Sequence, residues 1–215
     1  MEKAVIFDLD GTLINSAPDI MYNLNKMLAH FGYKEIDYSE FTKIIGHGAK
    51  NLVKDAVKVD VDGEKLQEYL DYYNQRYTSN PCEKTVVYEG VYEVLISLKQ
   101  KGYKLAICTN KPQTTTDEIV KKLFKNFTFD CIYGHSDGRA LKPDKNSILP
   151  ILNKLKVLPK NTYIVGDMAT DFLSAQNVGS KPICALWGYG NEEQLKNLGA
   201  KEFALIPKDL LLLIK

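Results

Sequence analysis

Val5-Ile6-Phe7-Asp8-Leu9-Asp10-Gly11-Thr12-Leu13 runs an apolar stretch directly into two carboxylates one residue apart. A short, continuous apolar run bounded by turn residues reads as a strand buried on both faces. The Asp-Gly pair that follows marks a sharp turn, and glycine lets the chain reverse so that Asp10 and Asp8 face the same place. Two carboxylates at the end of a buried strand repel each other unless a cation or a proton compensates. The rest of the chain has to supply that compensation.

Further apolar runs of the same kind lie at 104–109 (KLAICT), 131–134 (CIYG), 162–167 (TYIVGD), 182–187 (PICALW) and 203–206 (FALI). Helical patterns separate most of them. Val91, Val94, Leu95 and Leu98 form one face of a helix that ends near Gly102, and Ile119, Val120, Leu123 and Phe124 form another. ATDFLSAQNVG stops at Gly179, and NEEQLKNLG opens with Asn191 and Gln194 at capping-box spacing. Pro150 falls inside a helical pattern, so that helix starts late or bends there. Strands alternating with helices predict an α/β fold, a Rossmann-like doubly wound parallel sheet. From about residue 15 to 83 the pattern is helical only. Its apolar stripes are Ile20, Leu24, Met27, Leu28 and Phe31; Leu52, Val53, Ala56 and Val57; and Leu66, Tyr69, Leu70, Tyr73 and Tyr77. The expected organisation is an α/β core from 1–14 and 84–215, with an all-helical cap inserted at 15–83.

The composition narrows the function classes. Lys and Arg total 28 against 27 Asp and Glu, a net charge of +1, so no general field favours nucleic acid or an anionic membrane. No apolar run approaches the roughly 20 residues of a membrane span. The N-terminal apolar stretch is too short for a signal peptide and contains acids, so a cytoplasmic protein is expected, as monomer or homodimer. Cys82, Cys108, Cys131 and Cys184 show no metal-ligand spacing and read as reduced core residues.

In a doubly wound sheet, functional groups gather beyond the carboxyl ends of the strands. That edge should collect Asp8 and Asp10, Thr109 and Asn110, Lys142 in ALKPD, and Asp167 with Asp171 one turn later. One lysine cannot neutralise four aspartates. The oxygens on offer are hard ligands, which suit Mg²⁺ completed by water or a phosphate oxygen. Mg²⁺-assisted phosphoryl transfer follows, with an aspartate available as the nucleophile that accepts the phosphoryl group.

The motifs DLDGTL, TN, KP and GDMATD, in this order and with a helical insertion after the first, resemble the haloacid dehalogenase-like phosphohydrolases with a helical C1 cap. TNKP, IGHGAKNLV and LWGYGNEEQLKNLGA are most similar to the phosphoglycolate phosphatase subgroup. The resemblance implies that Asp8 is the nucleophile and a metal ligand. It implies that Asp10 is the general acid and base, with its backbone carbonyl on the metal. Thr109 and Asn110 would hold phosphoryl oxygens, and Lys142 would neutralise Asp8 and the phosphoryl group. Asp167 and Asp171 would hold Mg²⁺, directly or through water. The acid at Asp10 points to the phosphatase and mutase branches, since a halide leaving group needs no proton. Met168 departs from the small polar residue common after GD. In the cap, Gly46–Lys50 is the expected specificity segment, with His47 and Lys50 as substrate contacts and Lys50 reaching a substrate carboxylate. 2-Phosphoglycolate is the first candidate substrate and a nucleotide or pyrophosphate the second. A non-enzymatic phospho-acceptor or a binding protein on the same scaffold is the alternative class.

Overall fold

The computed structural model describes residues 2–79 and 81–215. In chain order the elements are β1 (Ala4–Phe7), β2 (Ile14–Asn15), α1 (Ala17–His30), α2 (Tyr38–Ile44), α3 (Ala49–Val57), α4 (Gly63–Ser79) and β3 (Val86–Val87). They continue with α5 (Val91–Gln100), β4 (Lys104–Pro112), α6 (Gln113–Leu123), β5 (Cys131–His135), α7 (Leu149–Leu155) and β6 (Thr162–Gly166). The last are α8 (Ala169–Val178), β7 (Lys181–Ala185), α9 (Glu192–Asn197), β8 (Phe203–Ala204) and α10 (Leu210–Leu213).

Six strands form one parallel sheet in the order β5-β4-β1-β6-β7-β8. β1 is central, in register with β4 from Ala4↔Lys104 to Phe7↔Ile107 and with β6 from Ala4↔Thr162 to Phe7↔Val165. Its side chains alternate between two cores. Val5 and Phe7 pack with Leu95 and Leu98 of α5 and Ile119 of α6. Ala4 and Ile6 pack with Ile151 and Leu152 of α7 and Ala175 of α8. Both faces are covered by helices, which is why β1 reads as an unbroken apolar run. The six expected strands and the α/β class are therefore present.

Three local features differ from the sequence reading. A two-stranded antiparallel ribbon, Ile14↔Val87 and Asn15↔Val86, crosses between the sheet and the helical segment. Its strands are two residues long, too short to carry a period. β4 runs on to Pro112 with an irregular register between Cys108 and Pro112, so Thr109 and Asn110 lie within the strand rather than beyond it. The helix containing Pro150 starts late: a single turn at Lys145–Ser147 precedes α7, and Pro150 occupies the first turn of α7, where its missing N–H leaves no bond unmade.

α1 to α4 close around an apolar core of their own, which includes Leu24, Met27, Phe41, Val53, Tyr73 and Tyr77. Phe31 and Leu70 of the expected stripes are only partly buried against it. All four cysteines are buried and free. The returning chain is tied to α1 by a buried carboxylate. Asp19 accepts hydrogen bonds from the Lys84 N–H (2.9 Å), the Thr85 N–H (2.7 Å) and the Thr85 hydroxyl (2.5 Å). Asp19→Ala leaves the buried Thr85 N–H without its partner, so thermal unfolding should show a loss of about 2–3 kcal/mol, with Asp19→Asn losing less. An unchanged melting temperature for Asp19→Ala would contradict the clamp.

Candidate active site

The carboxyl ends of β1, β4 and β6 deliver their polar residues to one pocket, as the topology requires. Asp8 follows β1 and Asp167 follows β6; both are buried. Asp171 sits in the first turn of α8 and returns a hydrogen bond to that turn, its Oδ2 accepting from the Met168 N–H at 3.0 Å. Lys142 arrives from the loop after β5, and its ammonium lies 2.6 Å from both Asp8 Oδ1 and Asp171 Oδ1. Asp167 is held by other donors: the Thr12 hydroxyl at 3.0 Å and the Tyr189 N–H at 2.8 Å. Carboxylate oxygens of Asp8, Asp167 and Asp171 all lie within 4.8 Å of one another.

Backbone shape brings these groups so close. Gly11 has φ +83°, and a Cβ there would stand 2.3 Å from Asp167 Oδ2. In the WGYG loop a Cβ at Gly190 would overlap the Asp167 carbonyl oxygen. The WGYG backbone can therefore lie directly on Asp167 and donate to it. Asn110 fixes Lys142: its Oδ1 accepts from the Lys142 N–H at 2.8 Å, and its Nδ2 donates to the carbonyls of Lys142 (3.2 Å) and Gly46 (3.0 Å). The Asn110 side chain is thus committed to protein partners, and what it can offer a phosphoryl group is its backbone. The Thr109 hydroxyl accepts from the Lys111 N–H at 3.2 Å and keeps its own proton to donate.

Asp10 stands apart from the other three acids. Its carboxylate turns to the Ser16 hydroxyl (2.5 Å) and to the ammonium of Lys111 (3.0 Å). Lys111, the third residue of TNKP, is a buried cation that the sequence reading did not single out. It was visible there as a lysine placed directly at a strand end. Thr12, Ser16 and Tyr189 were also missed. The Tyr189 hydroxyl accepts from the backbone N–H groups of Ser16 (2.8 Å) and Ala17 (3.0 Å), and so anchors the start of α1 over the site.

The cap residues divide. Gly46 and Gly48 line the cavity, and a Cβ on Gly46 would touch Met168 Cε at 3.0 Å. The Met168 side chain therefore spans the junction between the sheet and the helical segment. His47 and Lys50, expected as substrate contacts, are exposed and do not line the cavity. The reason for Lys50 is helix geometry. Ala49 and Leu52 of α3 face inward, and Lys50 is turned about 100° away from Ala49.

Three carboxylates against one ammonium leave excess negative charge in a dry place. Burial holds the Asp8 carboxyl well above its usual range, against the opposing pull of Lys142, and Asp171 and Asp167 raise it further. Burial, then Asp171, pushes Asp167 up to about 7, partly offset by the Tyr189 N–H and Thr12. Burial alone would lower the Lys142 ammonium, but Asp171 and Asp8 outweigh it and raise its pKa. The donor set fits a hard divalent cation. It is all oxygen, and the three carboxylates each bring an oxygen within 4.8 Å of the others, near enough to share one ion. The cavity beside the cluster opens to solvent, and the empty space in it, open solvent included, is about 680 Å³.

The cation-free protein carries Asp167 with a raised pKa, so its folded state is relieved as pH falls through about 7. Its melting temperature should therefore be higher at pH 6 than at pH 8, and saturating Mg²⁺ should shrink that difference. Mg²⁺ should bind about tenfold more weakly for each pH unit below 7, with proton release measurable by calorimetry. Asp167→Asn should raise the cation-free melting temperature and weaken the Mg²⁺ response. A Mg²⁺ affinity that is flat from pH 6 to 8 would contradict this electrostatic account.

Residues 5–185 match the haloacid dehalogenase-like hydrolase family. A phosphoglycolate phosphatase of Aquifex aeolicus is 35% identical over 187 residues, covering 87% of this chain and 86% of that protein. One of Nitrosospira multiformis is 31% identical over 209 residues, covering 95% of this chain and 91% of that protein. Among solved structures, a predicted phosphoglycolate phosphatase from Haemophilus somnus superposes with a TM-score of 0.91 at 25% identity, covering 100% of this chain and 98% of that one.

Proposed function

The chain belongs to the haloacid dehalogenase-like hydrolases, and from that membership we propose that it is a Mg²⁺-dependent phosphatase of a small phosphorylated metabolite, 2-phosphoglycolate foremost. Hydrolysis of a phosphoric monoester is the activity its relatives are named for. The observation that carries the finer reading is the buried, charge-excessive trio of Asp8, Asp167 and Asp171, with Lys142 on two of the three, beside a fourth carboxylate, Asp10, placed apart from it. A nucleotide or pyrophosphate is the second substrate candidate, because the trio and Lys142 address the phosphoryl group whatever leaves from it.

In this reading Asp8 attacks phosphorus, and the bond from phosphorus to the ester oxygen breaks. Asp10 donates its proton to that oxygen. Asp10 then takes a proton from water, the water oxygen attacks phosphorus, and the bond to Asp8 breaks. Inorganic phosphate leaves, with Asp8 ionised and Asp10 protonated again. Asp8, Asp167 and Asp171 with the Asp10 carbonyl would hold Mg²⁺, Asp171 directly or through water; the bound ion supplies charge neutralisation for the transferring phosphoryl group. Lys142 neutralises Asp8 and the phosphoryl oxygens, and Thr109 with the Asn110 backbone orients them. The helical segment 15–83 acts as a cap that keeps water from the leaving-group side.

Purified protein with Mg²⁺ should hydrolyse 2-phosphoglycolate faster than nucleotides or pyrophosphate in a phosphate-release panel, and chelation should stop it. Silence across the whole panel would overturn the phosphatase assignment, and a faster rate on pyrophosphate or a nucleotide would overturn the substrate. Asp8→Asn should abolish turnover with the fold intact. Asp10→Asn should slow an alkyl phosphate by about 10²–10⁴-fold and an aryl phosphate, whose leaving oxygen needs less protonation, by much less. Equal losses on both esters would remove Asp10 from the acid role.

A further inference from the structure

Lys111 is a buried cation that the steps above leave unused. Its side chain is 5% exposed and lines the same cavity as Asp8 and Asp10. The ammonium stands 3.0 Å from Asp10 Oδ2 and donates to the Tyr77 hydroxyl of α4 at 3.0 Å. An ammonium carries three N–H donors, and these contacts use two of them. Thr115, in the first turn of α6, also lines the cavity. It is 2% exposed, and its hydroxyl has no hydrogen-bond partner among the described residues. Buried hydroxyls are nearly always paired, so this one is a donor left over beside the cavity. Ile20, Ile45 and Leu52 complete the wall on the helical side with apolar surface. An apolar wall with one cation and one hydroxyl suits a small organic group that ends in a single negative charge.

We propose that Lys111 and Thr115 form a carboxylate-recognising subsite on the leaving-group side of Asp10, selecting short phosphate esters whose leaving group carries a carboxylate. The inference rests on the phosphatase reading and specifies its substrate class. Reach supports it. In the proposed reaction Asp10 would hydrogen-bond the ester oxygen, and with Lys111 3.0 Å from Asp10 Oδ2 the ammonium would lie within about 6 Å of that oxygen when both bonds share Oδ2. A carboxylate one carbon beyond the ester oxygen bridges that distance. An anion at the end of a long chain overshoots it. A second phosphate would call for a larger donor set, such as an arginine fork, than one ammonium and one hydroxyl. Lys50, the cation expected for this role from sequence, lies outside the cavity.

The test compares 2-phosphoglycolate with ethyl phosphate, which has the same chain length and no carboxylate, in the full-length protein with Mg²⁺. Lys111→Met should lower kcat/KM for 2-phosphoglycolate about 30-fold more than for ethyl phosphate, chiefly through KM, and Lys111→Arg should restore part of the preference. Thr115→Val, a nearly isosteric change that leaves both partners of the ion pair in place, should lower the preference about fivefold and covers the case in which Lys111→Met does not fold. Equal losses on both esters in Lys111→Met, or an undiminished preference in Thr115→Val, would overturn the subsite. A wild-type protein that hydrolyses both esters without preference would overturn the subsite and leave the phosphatase reading standing. Hydrolysis of neither ester, nor of anything else in the panel, would overturn both.

Discussion

Three carboxylates share a buried volume with one ammonium at the carboxyl edge of this sheet, and much of the surrounding structure exists to hold that arrangement together. Lys142 alone cannot balance the charge, so it must be placed where it meets two acids at once. Asn110 does this by binding both the N–H and the carbonyl of Lys142. Asp167 receives hydrogen bonds instead of a counter-charge, and the WGYG loop can deliver one because a glycine at 190 lets backbone rest on backbone. Repulsion kept in place by surrounding packing is stability given up, and a divalent cation bound there would recover it.

The second carboxylate of the opening motif belongs to a different electrostatic unit. Asp10 pairs with Lys111 and Ser16, and through Lys111 it meets Tyr77 of the helical segment. The cluster that meets the phosphoryl group is built from the sheet and its loops. The unit around Asp10 is shared between the sheet and the helices. In the proposed reaction this division would separate reaction from selection: the phosphoryl end of a substrate would meet the same groups in any ester, whereas the leaving group would meet residues of the helical segment. Tyr189 and Met168 join the two halves, one by accepting the first N–H groups of α1 and the other by packing against Gly46.

Much of this was legible in the sequence because it rests on strong local signals. Unbroken apolar runs reveal strands covered on both faces, and acids placed directly after them reveal the functional edge, so Asp8, Asp167, Asp171 and Lys142 could be brought together from topology alone. The ribbon of β2 and β3 could not, since two-residue strands have no period. Lys111 was missed because a lysine beside a motif has no pattern that tells burial from exposure; its ion pair with Asp10 depends on the irregular end of β4. Lys50 shows the converse, being exposed and outside the cavity lining. Its segment does line the cavity, but one residue along a helix turns a side chain from the inside face to solvent. Residue type and segment were readable, while facing direction was set by packing.

The central claim is that Lys142, together with the cation the trio would hold, keeps Asp8 ionised against that excess negative charge, so that Asp8 attacks phosphorus. Acid quenching during turnover of a radiolabelled ester, followed by peptide mapping, tests it most directly. The account predicts label on the peptide carrying Asp8, dependent on Mg²⁺ and lost in Asp8→Asn. Steady turnover with no label on Asp8, or with label on another residue, would contradict it.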